Sequence, residues 1–111
     1  MAEYPEFSPK VEEILRKAKA IDEAKWMIDA LRWMVKKAEE CEAISLINAT
    51  AYAVEFNKRI EARLDMAVAE DIISWSEMTL AERELSRLEG KYMGDAIRKF
   101  EERCICRPRE E

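Results

Sequence analysis

The side chains able to do chemistry in this chain are chiefly carboxylates: it carries 24 Asp and Glu, three Cys and no His. Without imidazole there is no Ser/His or Cys/His activation of a nucleophile, no base with an unperturbed pKa near neutrality, and no Glu-x-x-His ligand set. Catalysis would have to run on acids holding Mg²⁺ or Mn²⁺, hard ions that take oxygen ligands and leave room for substrate phosphates. Glu39, Glu40 and Glu42 cluster at one point, and Glu70 and Asp71 lie well along the chain. Brought together by a helix pair, Glu39, Glu42, Glu70 and Asp71 would hold Mg²⁺ for chemistry on a nucleotide or other phosphorylated small molecule. Asp71 stands out because Ala67, Val68 and Trp75 lie one helical turn away, which puts a carboxylate at the edge of an apolar stripe.

Glu39-Glu40-Cys41-Glu42 is an E-x-x-E pair. It loosely resembles half the pattern of the all-α nucleoside triphosphate pyrophosphatases, which implies Mg²⁺-dependent nucleotide hydrolysis and pairs that motif with E-x-x-D on the next helix. The second half is absent, since Val68 stands three residues before Asp71 and Ala62 three before Asp65. The resemblance spans four residues and assigns no family; among so many acids, a solvated acidic face or an Arg salt bridge is the plainer explanation of such a pair.

Cys41, Cys104 and Cys106 are odd in number and cannot all pair within one chain. With Arg107 and Arg109 beside it, Cys104-Ile-Cys106 admits a zinc site sharing Cys41 or a reactive thiol for redox or intersubunit pairing. Unpaired terminal cysteines are the expectation, because a zinc site needs a fourth ligand and there is no His.

Trp26 and Trp33 are seven residues apart and with Ala30 form one strip of a helix, roughly opposite the stripe of Ala24, Met27, Leu31 and Met34. One neighbouring helix cannot cover both strips. An interface between copies made by Trp26, Ala30 and Trp33 is therefore expected, against the plainer reading of two core tryptophans beneath the first helix.

These residues need elements to position them, and composition limits the choice. The chain has 111 residues, 49% of them hydrophobic and 39% charged, with only two Gly and three Pro. So few turn formers exclude an all-β fold, and the length gives one domain, too short for a Rossmann enzyme or a TIM barrel. There is no Gln, and Glu outnumbers Asp 19 to 5, a bias shared with hyperthermophile proteins. No run approaches the length of an apolar membrane span and the N-terminus lacks a signal peptide's apolar core, so a cytoplasmic protein is expected.

Ser8 as cap and Pro9 as first residue open a helix whose stripe is Val11, Ile14, Leu15, Ala18 and Ile21, with a restart at Asp22. The next stripe, Ala24, Met27, Leu31, Met34, Ala38 and Cys41, loses phase and returns as Ala49, Ala53, Phe56, Ile60, Leu64 and Ala67. A turn between Glu39 and Ser45 is predicted, because an unbroken helix from Asp22 to Trp75 would run roughly 80 Å and need an oligomer to support it. The third helix is predicted to end at Ser74 to Met78, and Thr79 with Glu82 to cap a fourth starting at Leu80. That helix carries Ala81, Leu85, Leu88, Tyr92, Ala96 and Phe100 and continues through Gly90 and Gly94, which mark a tight crossing with the third helix's alanines, or a bend.

The fold expected is all-α: an antiparallel helical bundle with a long C-terminal helical hairpin, completed by oligomerisation. Residues 1–8 form an extended arm that docks its rings, 9–106 the bundle, and 107–111 a tail. Net charge is −5, against a general nucleic-acid binder. A composite basic patch of Lys10, Arg16, Lys17 and Lys19 with Arg98, Lys99 and Arg103 is the feature an accessory nucleic-acid-binding subunit would use. Residues 10–37 hold eight bases against five acids and residues 38–90 twelve acids against five bases, an asymmetry suited to self-association. The leading functional reading is a non-enzymatic homo-oligomeric assembly or interaction subunit with no cofactor, open to a protein partner and not membrane-bound; the Mg²⁺ enzyme is the alternative.

Overall fold

The Ser8 hydroxyl accepts a hydrogen bond from the Val11 amide, and Pro9 opens α1 (Pro9–Lys17), as the cap pattern predicts. A computed structural model describes residues 6–105; within them follow α2 (Ile21–Glu39), α3 (Ala43–Ala69), α4 (Trp75–Phe100) and a π-helical segment, Glu101–Ile105. Tyr4 and Pro5 of the expected arm, Cys106 and the tail 107–111 lie outside the described residues. Among the described residues no strand forms, and no helix is long and apolar enough to cross a membrane.

The helices run alternately up and down. Trp26 faces Phe56 and Trp33 faces Tyr52, so α2 and α3 are antiparallel. Glu39 meets Lys99 while Arg32 and Tyr92 share Glu6, so α2 and α4 are parallel. Lys10 reaches Glu77, and the Ser8 amide donates to Glu84, which sets α1 antiparallel to the start of α4.

The centre of the bundle is α2. Its buried residues Ala24, Met27, Ile28, Leu31, Met34 and Ala38 sit between α3, which brings Ala49, Ala53, Ile60, Leu64 and Ala67, and α4, which brings Ala81, Leu85, Leu88 and Ala96. The C-terminal pair of helices does fold back on itself, but its two arms pack mainly on α2 and touch each other sparingly. Alanines lie in the α2/α3 seam, where Ala30, Ala49 and Ala53 are buried. A Cβ built on Gly90 or Gly94 meets nothing within 4 Å, so these glycines make no tight crossing within the chain.

The loss of stripe phase after Cys41 is explained by a turn at residues 40–42, inside the predicted interval. All three interhelical turns use the same device. Lys19, Cys41 and Asp71 take left-handed backbone angles, with φ of 58°, 58° and 60°. In each case the left-handed residue's amide donates three residues back, and the next amide donates five back: Lys19 to Arg16 and Ala20 to Leu15, Cys41 to Ala38 and Glu42 to Lys37, Asp71 to Val68 and Ile72 to Ala67. This is the Schellman closure, normally made with glycine, carried here by three residues with side chains.

The third turn comes earlier than sequence suggests. Helix α3 ends at Ala69, and α4 begins at Trp75 rather than Leu80. The reciprocal capping box is Ser74 with Glu77: the Glu77 amide donates to the Ser74 hydroxyl at 3.1 Å, and the Ser74 amide to the Glu77 carboxylate at 2.9 Å. Thr79 lies inside the helix and donates its hydroxyl proton to the Trp75 carbonyl. Two S/T-x-x-E patterns occur five residues apart, and the stripe residue Met78, which is buried, selects the earlier one.

Candidate functional site

Along one edge of the α2/α3 seam runs an aromatic strip. Trp26 packs on Phe56 with ring centroids 5.8 Å apart, and Trp33 on Tyr52 at 6.5 Å. The Arg59 guanidinium lies 5.9 Å from the Phe56 centroid. Each ring is propped by its neighbour yet open to water: Trp26 is 48% exposed, Trp33 37% and Tyr52 58%. Ala30, between the two tryptophans in sequence, is buried in the seam instead. The tryptophans are thus not core beneath α1; they pack on α3 and keep an outer face.

The carboxylates of the Mg²⁺ reading do not come together. Glu39 ends α2 and Glu42 immediately precedes α3, whereas Glu70 and Asp71 follow α3's other end, on the order of 40 Å away along 27 residues. Glu39 pairs with Lys99 at 2.9 Å, which holds its carboxyl below the usual range. Glu42 lies 3.6 Å from Lys37. The edge position predicted for Asp71 assumed a continuing helix; the residue is exposed in the turn, and its role is to hold the left-handed backbone. The composite basic patch is likewise divided, since α1 packs against the start of α4 while Arg98, Lys99 and Arg103 stand at its other end. Lys10, Arg16, Lys17, Arg98 and Lys99 all have carboxylate partners.

Sequence reasoning missed three features. The first is a disulfide between Cys41 and Cys104, with Cα atoms 5.6 Å apart. It ties the α2/α3 turn to the π-helical segment, correcting the reading of Cys104 as an unpaired terminal thiol; 63 residues separate the two, and no local pattern announces such a bond. The second is the anchor of the N-terminal arm. Burial of Phe7 agrees with the expected docking of the arm's rings, but the anchor's polar half was not foreseen: Glu6 accepts from Arg32 and from the Tyr92 hydroxyl, both at 2.7 Å. Burial alone would raise the Glu6 pKa, but these two hydrogen bonds outweigh it and hold the carboxyl below its ordinary value.

The third feature is a cleft between α3 and α4, opened because both helices lean on α2. Leu46, Thr50, Asn57 and Glu61 repeat at steps of four and seven on one face of α3, and Glu82, Ser86, Met93, Ile97 and Phe100 at steps of three, four and seven on α4. Near the disulfide the cleft is a mainly apolar cavity of about 370 Å³, lined by Leu46, Thr50, Met93, Ile97, Phe100 and Ile105 over Met34, with Glu101 at its edge. Farther along the same pair of helices is a second, polar pocket of about 160 Å³ formed by Asn57, Glu61, Glu82, Leu85 and Ser86. Burial, then the nearby Asp65 and Glu61, raise the pKa of Glu82; burial, then Glu61, raise that of Glu89. One Glu89 carboxylate oxygen is buried without a hydrogen-bond partner among the described residues. The sequence signal was present in the second polar-apolar phase of both helices, but only the third helix's placement shows that two such faces confront each other.

Compared with protein-family models, with curated proteins and with solved structures, the chain matches none, so its functional reading rests on these surfaces.

Proposed function

We propose that this protein is a self-associating helical-bundle subunit of an assembly, joined to its copies through the aromatic edge of α2 and α3. The observation that carries this reading is the half-exposed pair Trp26 and Trp33, propped against Phe56 and Tyr52. At roughly 250 Å² per indole the exposed fractions leave about 200 Å² of ring surface in water, and its burial would contribute on the order of 5 kcal/mol before association entropy. Large apolar rings held in fixed orientation need little further ordering to bind, which is why Trp and Tyr serve as interface anchors. Surface ion pairs add about 0 to 1 kcal/mol each, so the aromatic edge outweighs the charge asymmetry.

Sedimentation equilibrium over a range of protein concentrations tests the reading. The native chain should be a dimer or larger, and Trp26→Ser with Trp33→Ser should dissociate it more than about 0.5 M salt does. A native chain that stays monomeric at high micromolar concentration, or an oligomer indifferent to both substitutions, would overturn it.

A further inference from the structure

We propose that the cleft between α3 and α4 receives a partner's amphipathic helix, apolar in one half and rich in Lys or Arg in the other. Two pockets of different chemistry follow one another along the α3/α4 pair. Its upper half presents Met93, Ile97 and Phe100 on one wall and Leu46 on the other, with Ile47 and Val54 exposed along the α3 rim. Its lower half gathers Glu61 and Asp65 from α3 with Glu82 and Glu89 from α4, and none of these four has a Lys or Arg ion-pair partner among the described residues. Asp22, Glu70, Asp71, Glu84 and Glu101 likewise lack such a partner among the described residues, but here acids of two neighbouring helices act on one another, Asp65 and Glu61 on Glu82 and Glu61 on Glu89. Glu82 and Glu89 are held toward protonation by burial and by their acidic neighbours, and Glu89 points a buried oxygen at no donor. A cationic side chain entering from outside would supply that donor and relieve the crowding.

The length fits a helix. From Leu46 to Asp65 the α3 wall runs about 28 Å, the length of roughly 19 helical residues. Apolar anchors at steps of three and four would lie over Ile97 and Phe100, and the basic half would then fall beside Glu61, Glu82 and Glu89. A second copy of this chain is the poorer occupant, because α3 and α4 would bring the same acids to the contact. This site is separate from the aromatic edge and does not depend on it.

The test uses the full chain and two labelled, designed helical peptides of about 20 residues with the same apolar half, one with a Lys/Arg half and one with a Glu half. Fluorescence anisotropy should show the basic peptide binding at least about tenfold more tightly. The triple variant Glu61→Gln, Glu82→Gln, Glu89→Gln should abolish that preference while keeping the apolar contribution. Ile97→Lys, at a site 59% exposed and so tolerant of the change, should abolish binding of the basic peptide. Trp26→Ser with Trp33→Ser should leave peptide binding intact, which separates this cleft from the self-association surface. Equal affinity for the two peptides, no binding of either, or a preference that survives in the triple variant would overturn the proposal. So would dissociation of the native oligomer by Ile97→Lys, which would make the occupant a second copy.

Discussion

Lys19, Cys41 and Asp71 each hold a backbone conformation in which a Cβ is crowded, and each does so to close a helix end. The three are not equivalent. Asp tolerates the left-handed region better than Lys, and Cys41 is tied into a disulfide. Replacing Lys19→Gly should therefore stabilise the fold by about 1 kcal/mol, raising the melting temperature by roughly 4 °C, with a smaller gain for Asp71→Gly. Denaturant titration checks this; a loss of stability in Lys19→Gly would show that its side chain contributes more than its backbone conformation costs. Titrating groups give a second prediction of opposite signs. Glu6 has its pKa lowered in the folded state, so its contribution is present above the ordinary value of 4.5 and is lost as pH falls below it. Glu89 has its pKa raised, so ionising it in the cleft penalises the fold as pH rises above 4.5. Glu89→Gln should accordingly stabilise the protein near neutrality and have little effect near pH 4, where the native carboxyl carries its proton. A stability difference independent of pH would refute the assignment.

At the scale of helices, propensity and capping set most boundaries, and packing resolved the one ambiguity. Ser74-Trp75-Ser76-Glu77 and Thr79-Leu80-Ala81-Glu82 both spell a capping box, and local chemistry cannot rank them. Starting α4 at Trp75 adds a helical turn that carries Met78 into the core, whereas a start at Leu80 would leave Met78 outside the helix. Ser74→Ala should cost about 1 kcal/mol, since it removes the acceptor for the Glu77 amide, while Thr79→Ala should cost at most a few tenths. Equal losses in thermal melts of the two variants would contradict the observed start of α4. The stripes of α1 and α2 were legible because their inward faces are almost entirely apolar. In α3 and α4 the stripe facing α2 was legible too, but the second face was not, because a half-apolar, half-acidic strip reads in sequence as ordinary solvent-exposed surface.

For the whole molecule the question is what holds a rod of 63 × 26 × 21 Å together. One helix, α2, carries most of the interhelical packing, and two ties reach it from distant sequence. Glu6 pins the arm to α2 and α4 at Arg32 and Tyr92, and Cys41–Cys104 closes the end where α2 turns into α3. Closing a loop of this span removes unfolded-state entropy worth about 4 kcal/mol in the chain-entropy account. Cys104→Ser, or reduction of the native chain, should lower stability by up to that amount. Calorimetry with and without reductant measures it, and an unchanged melting temperature would show that the bond constrains little. Such a bond persists in oxidising compartments and also inside hyperthermophile cells, where a Glu- and Lys-rich composition is common. By itself the sequence determined the all-α class, the first helix start, the turn after Glu39 and the apolar stripes, because caps, propensity and periodicity act within a few residues. The tertiary structure alone decided that Cys41 meets Cys104, that Glu39 and Glu42 lie far from Glu70 and Asp71, and that α3 and α4 leave a cleft. Those outcomes depend on how three long helices share one central partner, a matter of packing geometry between residues distant in the chain that no local pattern encodes.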